Sequence, residues 1–263
     1  AGAARQGGAV KRIVVLSDIQ YPFHNSRALK AVIRFVGEYR PDHLVQIGDF
    51  MDYPQPSRWS KDTALEYQGS VFEDSRKAQR DVLKEIRKVY DGPFGIIEGN
   101  HDLRPRQYLA KYAPALAESH AFDFEVLLAF EDYGVEKLPD FWEFAPGWIM
   151  THGHLGGIRL TNEAGRTALN AAKRIGKSVV MGHTHRMGIC KFTFGYNARI
   201  TQELTGVEVG HLMDMKKAGY LKGSTANWQM GFAIIHIEGS YVKPELIPIT
   251  KNKFVVDGTV FSV

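Results

Sequence analysis

The sequence predicts an α/β fold. Three observations carry that prediction: five short, β-branched apolar runs, stretches of helical periodicity between them, and a β-like character after residue 187. Runs this short read as buried strands. Ile13-Val14-Val15-Leu16 leads into Ser17-Asp18-Ile19-Gln20, and Leu44-Val45-Gln46-Ile47 leads into Gly48-Asp49-Phe50-Met51-Asp52. Phe94-Gly95-Ile96-Ile97 leads through Glu98 into Gly99-Asn100-His101-Asp102. Trp148-Ile149-Met150 precedes Thr151-His152-Gly153-His154, and Val179-Val180-Met181 precedes Gly182-His183-Thr184-His185. In open α/β sheets ligands sit beyond the carboxyl ends of the strands. Five such strands would deliver Asp, Asn and His side chains to one edge.

The intervening segments are helical. Residues 26–39 place Leu29, Val32, Ile33 and Val36 on one face, with Asn25 or Ser26 as N-cap and Pro41 beyond the end. Residues 70–90 align Val71, Ser75, Ala78, Val82, Ile86 and Val89, while Glu73 and Lys77 pair on the charged face. Residues 103–133 read as short helical pieces broken by Pro105 and Pro114, and 161–175 as an alanine-rich helix ending at Gly176. The segments 191–194, 228–237 and 253–256 are β-like and predict a second sheet, with Trp228 and Phe232 in its core. No flexible linker precedes this region. The expected organisation is a flexible segment over 1–10 and one domain over 11–263.

Composition narrows the function classes. Of 263 residues, 44% are hydrophobic and 24% charged, which excludes global disorder and low-complexity architectures. The net charge of +4 permits anionic substrates without requiring nucleic acid. Ten histidines accompany a single cysteine, Cys190. An intramolecular disulfide framework and a cysteine-based zinc knuckle are thereby excluded. The cysteine count suits a reducing compartment, and no apolar run approaches the roughly 20 residues of a membrane span. No signal-peptide pattern opens the chain, so a cytoplasmic location without a membrane partner is expected.

Each polar cluster has a chemical reading. A carboxylate at a strand end is a hard oxygen ligand and imidazole a borderline one, so mixed Asp, Asn and His sets suit Mn²⁺, Fe or Zn²⁺ better than Ca²⁺. Asp49 follows Gly48, which lets the backbone turn sharply off its strand, and its two carboxylate oxygens could bridge two ions. His183 and His185 are i,i+2. Such residues point the same way on an extended segment but can diverge at a strand-to-loop turn.

In order, Asp18-x-Gln20, Gly48-Asp49-x-x-Asp52, Gly99-Asn100-His101-Asp102, His152-Gly153-His154 and Gly182-His183-x-His185 resemble the motif series of the calcineurin-like metallophosphoesterases. The resemblance implies a four-layer αββα sandwich of two mixed sheets flanked by helices, with a dinuclear site at the sheet edge. It implies a divalent-metal phosphoesterase acting on phosphate monoesters or diesters through a metal-bridging hydroxide. By position, Asp18 and His185 would bind one ion, Asn100, His152 and His183 the other, and Asp49 would bridge. His101 would contact phosphate or protonate the leaving group, oriented by Asp102 or Asp52. The implied cofactor is a pair of divalent ions, Mn²⁺ first, with Fe, Zn²⁺ or Ni²⁺ as alternatives.

One position departs from the family series: Gln20 stands where it has histidine. Gln20 could ligate and favour harder ions, could leave the first site weak or open, or could be replaced by His24 from the loop. Asp-x-Gln followed by Pro22-Phe23-His24 also resembles phage and prophage members. Arg104, Arg106 and Arg186 follow the motifs and suit bidentate phosphate recognition. Arg104 and Arg186, with His154 and His24, are the expected substrate-binding residues. Tyr21, Tyr53 and Trp59 could line a leaving-group pocket or serve packing. The basic balance leans the substrate towards phosphodiesters, including nucleotides or nucleic acid. A catalytically weakened metal-binding scaffold, or a nucleic-acid-binding protein on the same fold, is the alternative.

Overall fold

Alternation along the first strand sets the layering. β1 (Lys11–Leu16) turns Ile13 and Val15 to one face and Val14 and Leu16 to the other, and all four are buried. The computed structural model describes residues 10–58, 60–217 and 225–263. Residues 1–9 of the expected flexible segment lie outside the described residues.

After β1 come α1 (Ser26–Tyr39), β2 (His43–Gln46), α2 (Val71–Ala78), α3 (Lys84–Val89) and β3 (Phe94–Ile97). They are followed by α4 (Arg104–Tyr112), α5 (Phe124–Leu127), β4 (Val135–Leu138), β5 (Trp142–Ala145) and β6 (Trp148–Thr151). α6 (Arg166–Ile175), β7 (Ser178–Met181), β8 (Met187–Tyr196) and β9 (Arg199–Val209) come next. β10 (Gly231–Glu238), β11 (Tyr241–Pro248), β12 (Lys253–Val256) and β13 (Thr259–Ser262) close the chain.

One sheet has the order β11-β10-β1-β2-β3-β4, with β1 to β4 parallel and β10 and β11 antiparallel. The other has the order β5-β6-β7-β9-β8, parallel through β6, β7 and β9. Ile13, Val15, Val45, Ile97, Val180, Val207 and Ile235 fill the space between the two sheets. The outer face of the first packs Val14, Leu44, Ile96 and Phe232 against α1 and the α2–α3 segment. The outer face of the second packs Val179, Met181 and Leu204 against Ala168, Ala171 and Ala172 of α6. The result is the four-layer αββα sandwich.

The structure corrects several expectations. The five apolar runs divide, β1 to β3 in one sheet and β6 and β7 in the other. The late β-rich segments do not form one second sheet: β8 and β9 extend the second sheet, β10 pairs with β1 and β11 with β10, and β12 and β13 form a separate two-stranded sheet. Phe232 accordingly lies in the helix-side core with Phe35 and Phe254. Pro105 does not break a helix but opens α4 in its first turn, where its missing N–H costs nothing. Helix 70–90 forms, with a π-helical turn over Gln79–Leu83 joining α2 to α3. α6 begins only at Arg166 and ends, as expected, on Gly176 in the left-handed conformation (φ 79°). Among the described residues no helix is long and apolar enough to cross a membrane.

Candidate metal centre

The turns that follow the strands build the site. Asp18, Gln20, Asp49, His183 and His185 all have positive φ, between 47° and 67°. Left-handed backbone is uncommon outside glycine and costs conformational energy, so its concentration on five polar residues marks an over-determined local geometry. At Gly48 (φ +100°) a Cβ would fall 2.4 Å from His152 Nδ1, so no larger residue lets the two sheets approach here. Gln46 clasps the same turn, its amide donating to Gly48 O at 2.7 Å and its Oε1 accepting from Gly48 N–H at 2.9 Å.

Asp49 is the centre of the arrangement and is 1% exposed. Its Oδ1 accepts from His101 N–H at 2.8 Å and lies 3.3 Å from His152 Nε2. Ligand atoms of Asp49, His152 and His183 all lie within 4.8 Å of one another, a group able to hold a metal ion. Asn100 Oδ1 joins them at 3.1 Å from His152 Nε2. His152 Nδ1–H donates to Ile47 O at 2.9 Å, which fixes the ring with Nε2 towards the cluster. On the other side of Asp49, His185 Nε2 is 3.1 Å from Asp18 Oδ1 and 3.2 Å from the Gln20 amide nitrogen. That nitrogen is also 3.4 Å from Asp49 Oδ2. The second oxygen of Asp18 is occupied by Ser17 Oγ–H at 2.5 Å and His183 N–H at 3.0 Å. The two i,i+2 histidines therefore diverge to opposite sides of Asp49.

The donor set fits a pair of divalent ions. Asp18 Oδ1 is buried against the His185 ring, and Gln20 Oε1 is buried with no hydrogen-bond partner among the described residues. The amide of Gln20 needs only a half-turn to put its oxygen beside Asp49 and His185. Burial works to raise the Asp49 pKa, but the facing histidines His152 and His101 outweigh it and hold the carboxylate well below its usual range. Burial and then the charge of His152 push His183 down to about 4. Both residues thus stand in the protonation state that ligates. For His152, burial is overcome by Asp49 and Asp18, which raise it to about 9. The same negative field would favour a cation there.

His101 lies beside this centre. Its Nδ1–H donates to Asp52 Oδ1 at 2.7 Å. Arg104 Nη1 donates to Asp52 O at 2.7 Å and Oδ2 at 3.2 Å, while Nη2 reaches within 3.1 Å of His101 Nε2. One carboxylate therefore positions both the imidazole and the guanidinium. They open on a cleft of about 840 Å³ that also exposes Gln20, Asp49, His183 and His185, with Phe23, Leu65, Met213 and Trp228 as its apolar wall.

The model of the calcineurin-like phosphoesterase family matches residues 11–187, the stretch that carries every one of these candidate ligands. This chain belongs to that family. It is 53% identical to the Gene 54 proteins of Mycobacterium phages L5 and D29, over 96% of this chain and 99% of each relative. Among solved structures it is similar to Vps29 of Chaetomium thermophilum, with 12% identity, 96% and 97% coverage and a TM-score of 0.45. It is also similar to a conserved uncharacterized protein from Streptococcus pneumoniae TIGR4, described as a predicted phosphoesterase, with 17% identity, 97% and 99% coverage and a TM-score of 0.40.

Within this calcineurin-like centre several expected site residues fall elsewhere. Asp102 does not touch the His101 ring. It is buried and accepts from Gly99 N–H at 2.8 Å, Met51 N–H at 2.8 Å and Phe50 N–H at 3.3 Å, tying two loops together. Burial and then the Asp49 charge raise its pKa to about 7. His24 stacks on Tyr21 at 5.0 Å and meets Ser26 Oγ at 3.2 Å, away from the ligand cluster. Arg186 reaches Asn162 Oδ1 at 3.4 Å, and Arg106 forms a bidentate pair with Glu98 at 2.7 and 2.8 Å. His154 packs 5.4 Å from the His152 ring and 6.5 Å from the His183 ring, and is not among the described residues lining the cleft. Tyr21 and Tyr53 are buried and bonded to Asp81 and Ser75. Trp59 lies outside the described residues. Two neighbours were not read as site residues in the sequence, and Trp228, expected in the core of the second sheet, instead lines the cleft. Trp228 packs edge-on at 4.3 Å against His185, and His211 lies 5.3 Å from it. No motif spacing marks them, because they arrive from beyond β9.

Proposed function

We propose that this chain hydrolyses phosphate esters with two divalent ions, and phosphodiesters in preference to monoesters. The observation that carries the reading is the position of Asp49 between two half-sites, Asp18, Gln20 and His185 on one side and Asn100, His152 and His183 on the other. When bound, the ions would neutralise phosphoryl charge and lower the pKa of water, Mn²⁺ being the first choice for this oxygen-rich set. The chain's own groups do the rest. Arg104 presents a fixed guanidinium to a phosphate oxygen. His101, its Nδ1–H held by Asp52, offers Nε2 to hold or release a proton at the leaving oxygen. The apolar wall of Phe23, Leu65, Met213 and Trp228 gives a second ester substituent a surface to rest on, which supports the diester preference.

The test is hydrolysis of bis-para-nitrophenyl phosphate and para-nitrophenyl phosphate across a series of divalent ions. Mn²⁺-stimulated cleavage, faster for the diester, is expected. Asp49→Asn takes it to background. His101→Ala lowers kcat by about 10²–10⁴-fold. An inert protein across all ions, or an active Asp49→Asn, overturns the reading. Gln20 favours one second reading, a one-ion scaffold without turnover, because a neutral amide is a weaker ligand than imidazole. Equilibrium dialysis distinguishes them: two ions per chain are expected for the enzyme and one for the scaffold.

A further inference from the structure

A second groove leaves the centre at His101 and runs along α4. Its walls are Asn100, His101 and Arg104 at one end, Tyr108, Lys111 and Tyr112 at the other, with Pro56, Ser57 and Arg58 opposite, around a cavity of about 370 Å³. The α4 residues recur at i, i+4, i+7 and i+8 from Arg104, so they share one face of a helix about 13 Å long. No carboxylate is among the described lining residues. The nearby Glu66 is already engaged by Lys61 at 2.8 Å and by the Tyr108 hydroxyl. The rings of Tyr108 and Tyr112 lie 4.7 Å apart, Tyr112 is 40% exposed, and the Lys61 and Lys111 ammonium groups each sit 5.0 Å from its ring centre. Cations alternating with accessible aromatic rings form a track for a polyanion whose flat groups can stack.

We propose that this groove binds single-stranded nucleic acid on the leaving-group side of the scissile phosphodiester. The inference rests on the phosphodiesterase reading of the adjoining site and narrows its substrate class. Continuity decides the direction. The groove starts at His101 and Arg104, so the chain continuing from the leaving oxygen enters it directly. Arg58 and Lys111 meet the next phosphates, and Tyr108 and Tyr112 take the bases. Paired bases hide their faces inside the duplex, so the rings select an unpaired strand.

The test is fluorescence anisotropy with a labelled oligothymidylate and full-length chain in EDTA, which halts turnover and leaves the groove intact. Affinity is expected to fall with salt, and Arg58→Ala or Lys111→Ala to reduce the slope of log K against log salt by about 0.7 each. Tyr112→Ala is expected to weaken binding about tenfold, and Tyr112→Phe to restore it. Lys251→Ala, the same charge change on the turn before β12, is the control and changes neither. Unchanged affinity in both Lys111→Ala and Tyr112→Ala, or duplex binding as tight as single-strand binding, overturns the groove. Cleavage of the small aryl diester by the wild-type chain with Mn²⁺ is read in parallel. Aryl cleavage without groove-dependent binding removes only the groove. Groove-dependent binding without aryl cleavage removes only the hydrolase reading.

Discussion

At the scale of single residues the centre is held by backbone that few side chains accept. Asp18, Gln20, Asp49, His183 and His185 are left-handed, and hydrogen bonds such as His183 N–H to Asp18 and His101 N–H to Asp49 keep them so. Their candidacy was readable because metal ligation restricts residue type. Their partners were not. Asp52 rather than Asp102 orients His101, a choice that Gly-Asn-His-Asp alone leaves open, since Asp102 is the next residue and Asp52 lies 49 residues away, and only the fold brings one of them to the ring. Gln20→His is expected to raise affinity for a second transition-metal ion, measurable by calorimetric titration with Zn²⁺ or Mn²⁺. A residue outside the centre sets a pH response. Burial, reinforced by the charge of Lys217, lowers His24 from its ordinary 6.5 to about 4. Between these values the unfolded chain binds a proton that the folded chain refuses, so stability falls as pH drops through that window and levels below it. The loss is roughly 1–2 kcal/mol after screening by solvent, and comparison of His24→Gln with wild type in melts from pH 7 to 4 should show it disappear.

At the scale of elements, local chemistry decided the ends and tertiary contact decided the interiors. Asn25 caps α1 as its side chain predicts, and Asn25→Ala should cost about 1 kcal/mol in denaturant unfolding. Gly176 ends α6 for an equally local reason. By contrast, the glycine in β9 has no local signature. At Gly206 an added Cβ would lie 2.0 Å from the Leu169 backbone nitrogen, because β9 passes directly beneath α6. Gly206→Ala is therefore expected to destabilise by about 1–3 kcal/mol through overpacking, checked by the unfolding midpoint. Pro105 illustrates the same division. Its ring forbids a helix interior but suits a first turn, and the sequence does not say which of the two the chain will use.

At the scale of the molecule, β10 returns to pair with β1, and β11 with β10, after the chain has built the second sheet. This return explains how residues beyond the family match at 187 join the core. Phe254 and Phe261 of the β12–β13 hairpin pack on Phe35 at 5.7 and 5.2 Å, and Phe254 stacks on Phe261 at 5.0 Å. Phe254→Ala should cost about 3–5 kcal/mol if the hairpin unfolds with the sandwich, and two separate unfolding transitions would contradict that coupling.

What the sequence by itself determined is therefore the fold class, the family and the candidate ligands. Apolar runs too short for helices dictate strands, and polar clusters at their ends mark candidate ligands, because both depend on residue type and near spacing. What only the tertiary structure decided is which strand joins which sheet, which carboxylate serves His101, and that Arg104 faces the cleft while Arg106 and Arg186 do not. These depend on pairings between residues far apart in the chain. Such pairings are selected by how two apolar sheet faces fit together, and no local pattern encodes that fit.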